Sequence, residues 1–234
     1  MSGIVKKTRV GGLVGKGTGV NALRRAAKAD ERTRSKESVF LVLDVSGSMA
    51  ERIGGGSTLN YGGVTRGGDR KIDALHHAAT AFVDACSSRS QVGVITFDDK
   101  CQVLQDLTVH RHMLKSALDS MAIGYGTHIG DGLALALDRL RHARAEIERI
   151  ILMTDGDDRN RENPSALDDA IATAATRGVI VDCVAFGDNA DTKTLDEISR
   201  KTGGVVKDAR SADELVKAFK QLEAGARGLL GKGE

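Results

Sequence analysis

The stretch Asp44-Val45-Ser46-Gly47-Ser48-Met49 sets one carboxylate and two hydroxyls at alternate positions. Alternate residues in a turn can converge on one point, and three hard oxygens there suit Mg²⁺, which prefers near-octahedral oxygen ligands at about 2.0–2.1 Å. Gly47 lets the backbone turn tightly. Taken alone, the stretch reads equally well as a strand-end turn whose Asp and Ser side chains hydrogen-bond the backbone. A second stretch, Thr154-Asp155-Gly156-Asp157-Asp158, follows the apolar run Ile150-Ile151-Leu152-Met153 and again ends a buried strand in an acid and a glycine. A third, Gly124 to Gly132, is glycine-rich and leads into a helical pattern with Thr127 at its start. That threonine serves either as a plain N-cap or as a further hydroxyl ligand.

The elements that must position these residues alternate in type. Apolar, strand-like runs occur at 39–43, 92–97, 103–107, 150–153, 179–186 and 205–206. Helical spacing of apolar residues occurs at 71–86, 112–121, 128–142, 167–176, 195–201 and 212–223. Such alternation indicates an α/β domain with a doubly wound, mostly parallel central sheet and helices on both faces. The 92–97 and 103–107 runs, joined through Asp98-Asp99-Lys100, read as a hairpin that supplies one antiparallel edge strand. In a parallel sheet Asp44 and Asp155 arrive at the same carboxyl edge, which is where such folds bind ligands.

Together, Asp44, Ser46, Ser48, Thr127 and Asp155 resemble the metal-ion-dependent adhesion site of the von Willebrand factor A family, read from D-x-S-x-S, a later Thr and a later Asp. The resemblance covers about four-fifths of the chain. It implies a Rossmann-like fold and a bound Mg²⁺, with Mn²⁺ or Ca²⁺ as other candidates. It also implies a non-enzymatic adaptor that grips an Asp or Glu carboxylate of a partner protein. Met49, Tyr125, Gly126, His128, Gly156 and Asp157 are the expected partner-binding rim. Intracellular relatives suggest an AAA+ ATPase or a stress-response assembly as the kind of partner.

Charge divides the chain unevenly. Residues 1–38 carry ten Lys/Arg and three acids, a net +7, against +2 for the whole chain. The expected organisation is a basic Gly-rich tail at 1–37, the domain at 38–223 and a C-terminal tail at 224–234. Within the domain, residues 54–70 form a Gly-rich insertion, a candidate for selecting the partner. A short helix fits residues 22–29, and a Gly-Leu-x-Gly-Lys-Gly pattern recurs at 12–17 and 228–233. The basic tail is either solvated or a contact for acidic surfaces. Aromatic stacking residues are missing from it, which argues against nucleic acid. No run reaches the roughly 20 apolar residues of a membrane span. Three scattered cysteines fit a reducing compartment and a cytoplasmic protein.

Enzymatic readings fare worse. A Mg²⁺-dependent phosphohydrolase with D-x-D needs a second acid where this chain has Ser46, and serine does no general acid–base work near neutral pH. Gly15-Lys16-Gly17-Thr18-Gly19 departs from a phosphate-binding loop at Gly17.

Overall fold

The computed structural model describes residues 35–53, 70–143, 145–158 and 163–230, with side chains from 36 to 225. Six strands form one sheet: β1 (Ser35–Asp44), β2 (Ser90–Phe97), β3 (Cys101–Thr108), β4 (Ala145–Thr154), β5 (Ile180–Phe186) and β6 (Val206–Ala209). Their order is β3-β2-β1-β4-β5-β6, with β3 antiparallel to β2 and every other pairing parallel. The expected doubly wound sheet with one antiparallel edge strand is thus present. The chain leaves β1 first toward β2 and later returns to its other side as β4. The carboxyl ends of β1 and β4 therefore flank the switch point at which doubly wound sheets open a crevice.

Alternation along β1 assigns each face of the sheet its own helices. Val39, Leu41 and Leu43 face one layer with α1 (Lys71–Ala85), α2 (Arg111–Asp119) and, at the far end of the chain, α6 (Ala212–Leu230). Phe40 and Val42 face the other layer, with α3 (Ile129–Leu140), α4 (Ala166–Arg177) and α5 (Thr192–Thr202). The period-2 pattern of a strand covered on both faces gives a continuous apolar run. With few aromatics, close packing relies on small residues. Gly130 of α3 lies so near α4 that a Cβ would stand 2.4 Å from the Leu167 nitrogen, and Gly93 makes room for the Phe40 ring.

Several boundaries differ from the sequence reading. β1 begins at Ser35 rather than Val39, and β4 at Ala145 rather than Ile150. Their extensions are polar, and Glu37 and Arg149 there are buried against each other rather than marked by hydrophobicity. α6 runs to Leu230, past the expected end at 223. The helix expected at 22–29, all but the last residue of the insertion at 54–70, and the first Gly-Leu-x-Gly-Lys-Gly copy lie outside the described residues. Among the described residues no helix is long and apolar enough to cross a membrane.

Candidate metal centre

Hydrophobic register fixes the site. β1 is fully buried from Ser38 through Leu43, and Asp44 pairs with Phe97 at the very end of the strand. The chain then turns through a short 3₁₀ segment, Gly47–Ala50. Val45 N donates to Phe97 O at 3.0 Å and Gly124 N donates to Val45 O at 2.8 Å, tying this turn to β2 and to the glycine-rich loop. Gly124 is required there, because a Cβ would collide with the Asp98 carboxylate. Asp98 O in turn accepts from His128 N at 2.9 Å. Three loops are thereby locked around one point.

Four of the five expected residues meet in an open cleft of about 360 Å³: Ser46, Ser48, Thr127 and Asp155. Ser46 Oγ and Ser48 Oγ are 2.9 Å apart, and Ser48 Oγ donates to Asp155 Oδ1 at 2.7 Å. The fifth, Asp44, stands behind this layer and is fully buried. Its Oδ1 accepts from Ser46 N at 2.8 Å and its Oδ2 from the Thr154 hydroxyl at 2.5 Å. Burial pushes the Asp44 carboxyl up from 3.8 to about 6, against the downward pull of the Thr154 and Ser46 hydrogen bonds. Asp44 thus braces the serine turn and adds negative charge from beneath it, while the hydroxyls and Asp155 face the cleft.

Thr127 is buried beside them. It is not the N-cap of α3; that position is His128, whose side chain makes no cap hydrogen bond. Asp158, from the loop after β4, accepts instead from Ile129 N at 3.1 Å. A carboxylate at a helix N-terminus is favoured by the exposed N–H groups and the dipole. The arrangement leaves the Thr127 hydroxyl out of the cap and pins the Asp155 loop to α3.

The rim differs from expectation in part. Tyr125, Gly126 and Gly156 line the cleft, and Tyr125 is 81% exposed. Met49, expected on the rim, is instead the buried residue of the 3₁₀ turn and packs into the α1 layer. His128 and Asp157 do not line the cleft; the His128 ring lies 3.5 Å from Asp131.

Sequence reasoning missed Lys71, Glu51, Asn189 and Thr154. The first three line the cleft as well. Lys71, the first residue of α1, places Nζ 2.7 Å from Asp155 Oδ2 and 3.2 Å from Glu51 Oε2. Burial alone would lower its pKa, but the hydrogen bonds and charges of Asp155 and Glu51 outweigh that and raise it. A lysine opening a helix, against the dipole, was the available signal.

The donor set is entirely oxygen, two carboxylates and three hydroxyls, and so fits a hard divalent cation. Among the described residues no three His, Cys, Asp or Glu side chains gather as a metal-ligand cluster. A cation here would depend on hydroxyls for much of its protein coordination and would retain water.

The fold is a doubly wound α/β sheet with an oxygen-lined cleft at its carboxyl edge. The chain belongs to the von Willebrand factor type A domain family, which it matches over residues 38–221. Domains of this family are generally protein-interaction modules and often carry a metal-ion-dependent adhesion site. Among its relatives is a UPF0353 protein of Nocardia farcinica, 25% identical over 81% of this chain and 63% of that protein. A UPF0353 protein of Mycolicibacterium gilvum is 26% identical over 81% of this chain and 60% of that protein. The chain thus spans about three-fifths of the length of these relatives. Among solved structures, a von Willebrand factor type A protein from Catenulispora acidiphila superposes with a TM-score of 0.70 at 24% identity, over 83% of this chain and 43% of that one. BatB from Bacteroides thetaiotaomicron gives 0.65 at 18% identity, over 82% and 98%. These structures share the fold.

Proposed function

We propose that this domain binds one divalent cation, Mg²⁺ first, and through it an Asp or Glu carboxylate on a partner protein. One observation carries the reading: Ser46, Ser48, Thr127 and Asp155, drawn from three separate loops, line a single open cleft braced by Asp44. Two carboxylates roughly balance a dication, and a six-coordinate ion leaves positions for water that an incoming carboxylate replaces. Tyr125, amphipathic and exposed beside the cleft, is suited to cover that contact. The domain acts as an adaptor rather than an enzyme, since the carboxylate that accepts from Ser48, Asp155, is itself held by Lys71, and no histidine lines the cleft among the described residues. An AAA+ ATPase or a stress-response assembly is the class of partner that the family resemblance supplies. Three unpaired thiols suit a reducing, cytoplasmic setting.

The test is capture of partners from host lysate by the tagged chain in Mg²⁺, in EDTA, and by Asp155→Ala in Mg²⁺ after its fold is verified by circular dichroism. Partners held by wild type in Mg²⁺ alone support the proposal. The same partners in all three samples contradict it.

A further inference from the structure

Lys71 opens α1, where a positive charge meets the positive end of the helix dipole. Its own helix does not compensate it. The acid of the first turn, Asp73, is held by Arg70, with Nε 2.9 Å from Oδ2. Compensation comes from outside, from Asp155 and Glu51. The Lys71 side chain is 10% exposed and that of Asp155 is fully buried, so this is an inward-facing ion pair on the wall of the cleft. The backbone fixes its placement: Lys71 N donates to Glu51 O at 2.9 Å, and Arg52 bridges Arg70 beside it.

Both oxygens of Asp155 are therefore engaged, Oδ1 by the Ser48 hydroxyl and Oδ2 by the Lys71 ammonium. A hydroxyl can rotate and turn a lone pair toward a cation. An ammonium has no lone pair and repels a dication at contact distance. Glu51, 63% exposed and already 3.2 Å from Nζ, gives the ammonium a second carboxylate to retreat to.

We infer that Lys71 is a resident cation of this site, holding Asp155 in the metal-free protein and yielding it to a divalent ion by shifting onto Glu51. The inference rests on the metal-binding reading above and adds an internal competitor to it. The ion must displace a tethered positive charge, so Lys71 sets the divalent-ion concentration at which the site loads. The same pair keeps Asp155 compensated, and the serine turn in place, when no ion is bound.

The experiment is a Mn²⁺ titration, followed by electron paramagnetic resonance, of the full chain as wild type, Lys71→Met and Lys71→Arg. Thermal unfolding in EDTA and in Mn²⁺ runs alongside. Loss of the competing charge in Lys71→Met should tighten Mn²⁺ binding about tenfold, with Lys71→Arg near wild type. In EDTA the Lys71→Met melting temperature should fall, and its rise on adding Mn²⁺ should exceed that of wild type. Equal or weaker affinity in Lys71→Met would overturn the inference while leaving metal-dependent binding standing. Mn²⁺ binding by Lys71→Met but not by wild type would support the competitor and contradict the function proposed for the native site. No binding by either folded protein overturns both. Lys71→Gln, neutral but still a donor to Asp155, replaces Lys71→Met in these comparisons if the latter does not fold.

Discussion

Two buried charge clusters lie in the sheet, one near each end of its central strands. Near the amino ends, Arg149 of β4 donates from Nε to Asp182 at 2.5 Å, from Nη1 to Glu37 at 3.3 Å and from Nη2 to Leu222 O at 2.8 Å. Asp182 also accepts from Val205 N at 2.8 Å. All three charged side chains are 4–5% exposed, and the cluster ties β1, β4, β5 and α6 together. At the carboxyl ends, Asp44 and Asp155 are as deeply buried, but Asp155 lines an open cleft beside three hydroxyls and one lysine, with Asp44 behind them. In the first cluster each nitrogen of a planar guanidinium donates to a fixed acceptor. In the second, rotatable hydroxyls and a flexible ammonium meet the carboxylates. Burial thus serves two ends: the closed cluster is suited to hold elements together, the open one to exchange its partners for a ligand.

Breaking each cluster should therefore have opposite consequences. The largest effect is expected from Arg149→Met, which leaves Glu37 and Asp182 buried without their cation and should cost about 3–5 kcal/mol in urea unfolding. Asp44→Asn should act the other way. Since the folded Asp44 titrates near 6 rather than 3.8, between those pH values the native state keeps a proton that the unfolded chain has released. The contribution of Asp44 to the stability of the metal-free protein is then greatest below about pH 4 and falls by roughly 2–3 kcal/mol as pH rises through 6. Asp44→Asn should flatten that decline in unfolding experiments with EDTA, and so be the more stable protein at pH 7. A steeper decline in the variant would contradict the open character assigned to this cluster. Tyr125→Ala, at an exposed position, should change stability by no more than about 0.5 kcal/mol. It should weaken partner capture with Mn²⁺ affinity unchanged; a fall in Mn²⁺ affinity would move Tyr125 from the rim into the site.

The same comparison explains what was legible in the sequence. Val39–Leu43 and Ile150–Met153 announced two central strands through apolar runs, and an acid at the end of each pointed to the sheet edge. The D-x-S-x-S spacing carried the site because its convergence is local. The polar starts of β1 and β4 were unreadable, since Glu37 and Arg149 become buried through partners 112 residues apart. Lys71 was missed for the same reason: its contact with Asp155 spans 84 residues, and a helix-opening lysine is a weak local cue. Met49 read as a rim residue because it follows the serines, but the 3₁₀ turn rotates it into the core. Thr127 read as a candidate cap, and only the approach of Asp158 from another loop relieves it of that role.

The metal-binding reading requires that the three hydroxyls and Asp155, backed by Asp44, hold a divalent ion. The most direct measurement is Mn²⁺ binding by wild type and by Ser46→Ala/Ser48→Ala, with unfolding in EDTA as the control for fold. One ion per wild-type chain, and a loss of more than about 100-fold in affinity in the double variant with stability within about 1 kcal/mol, is the predicted result. Absence of Mn²⁺ binding by wild type, or equal binding by the double variant, would contradict the account.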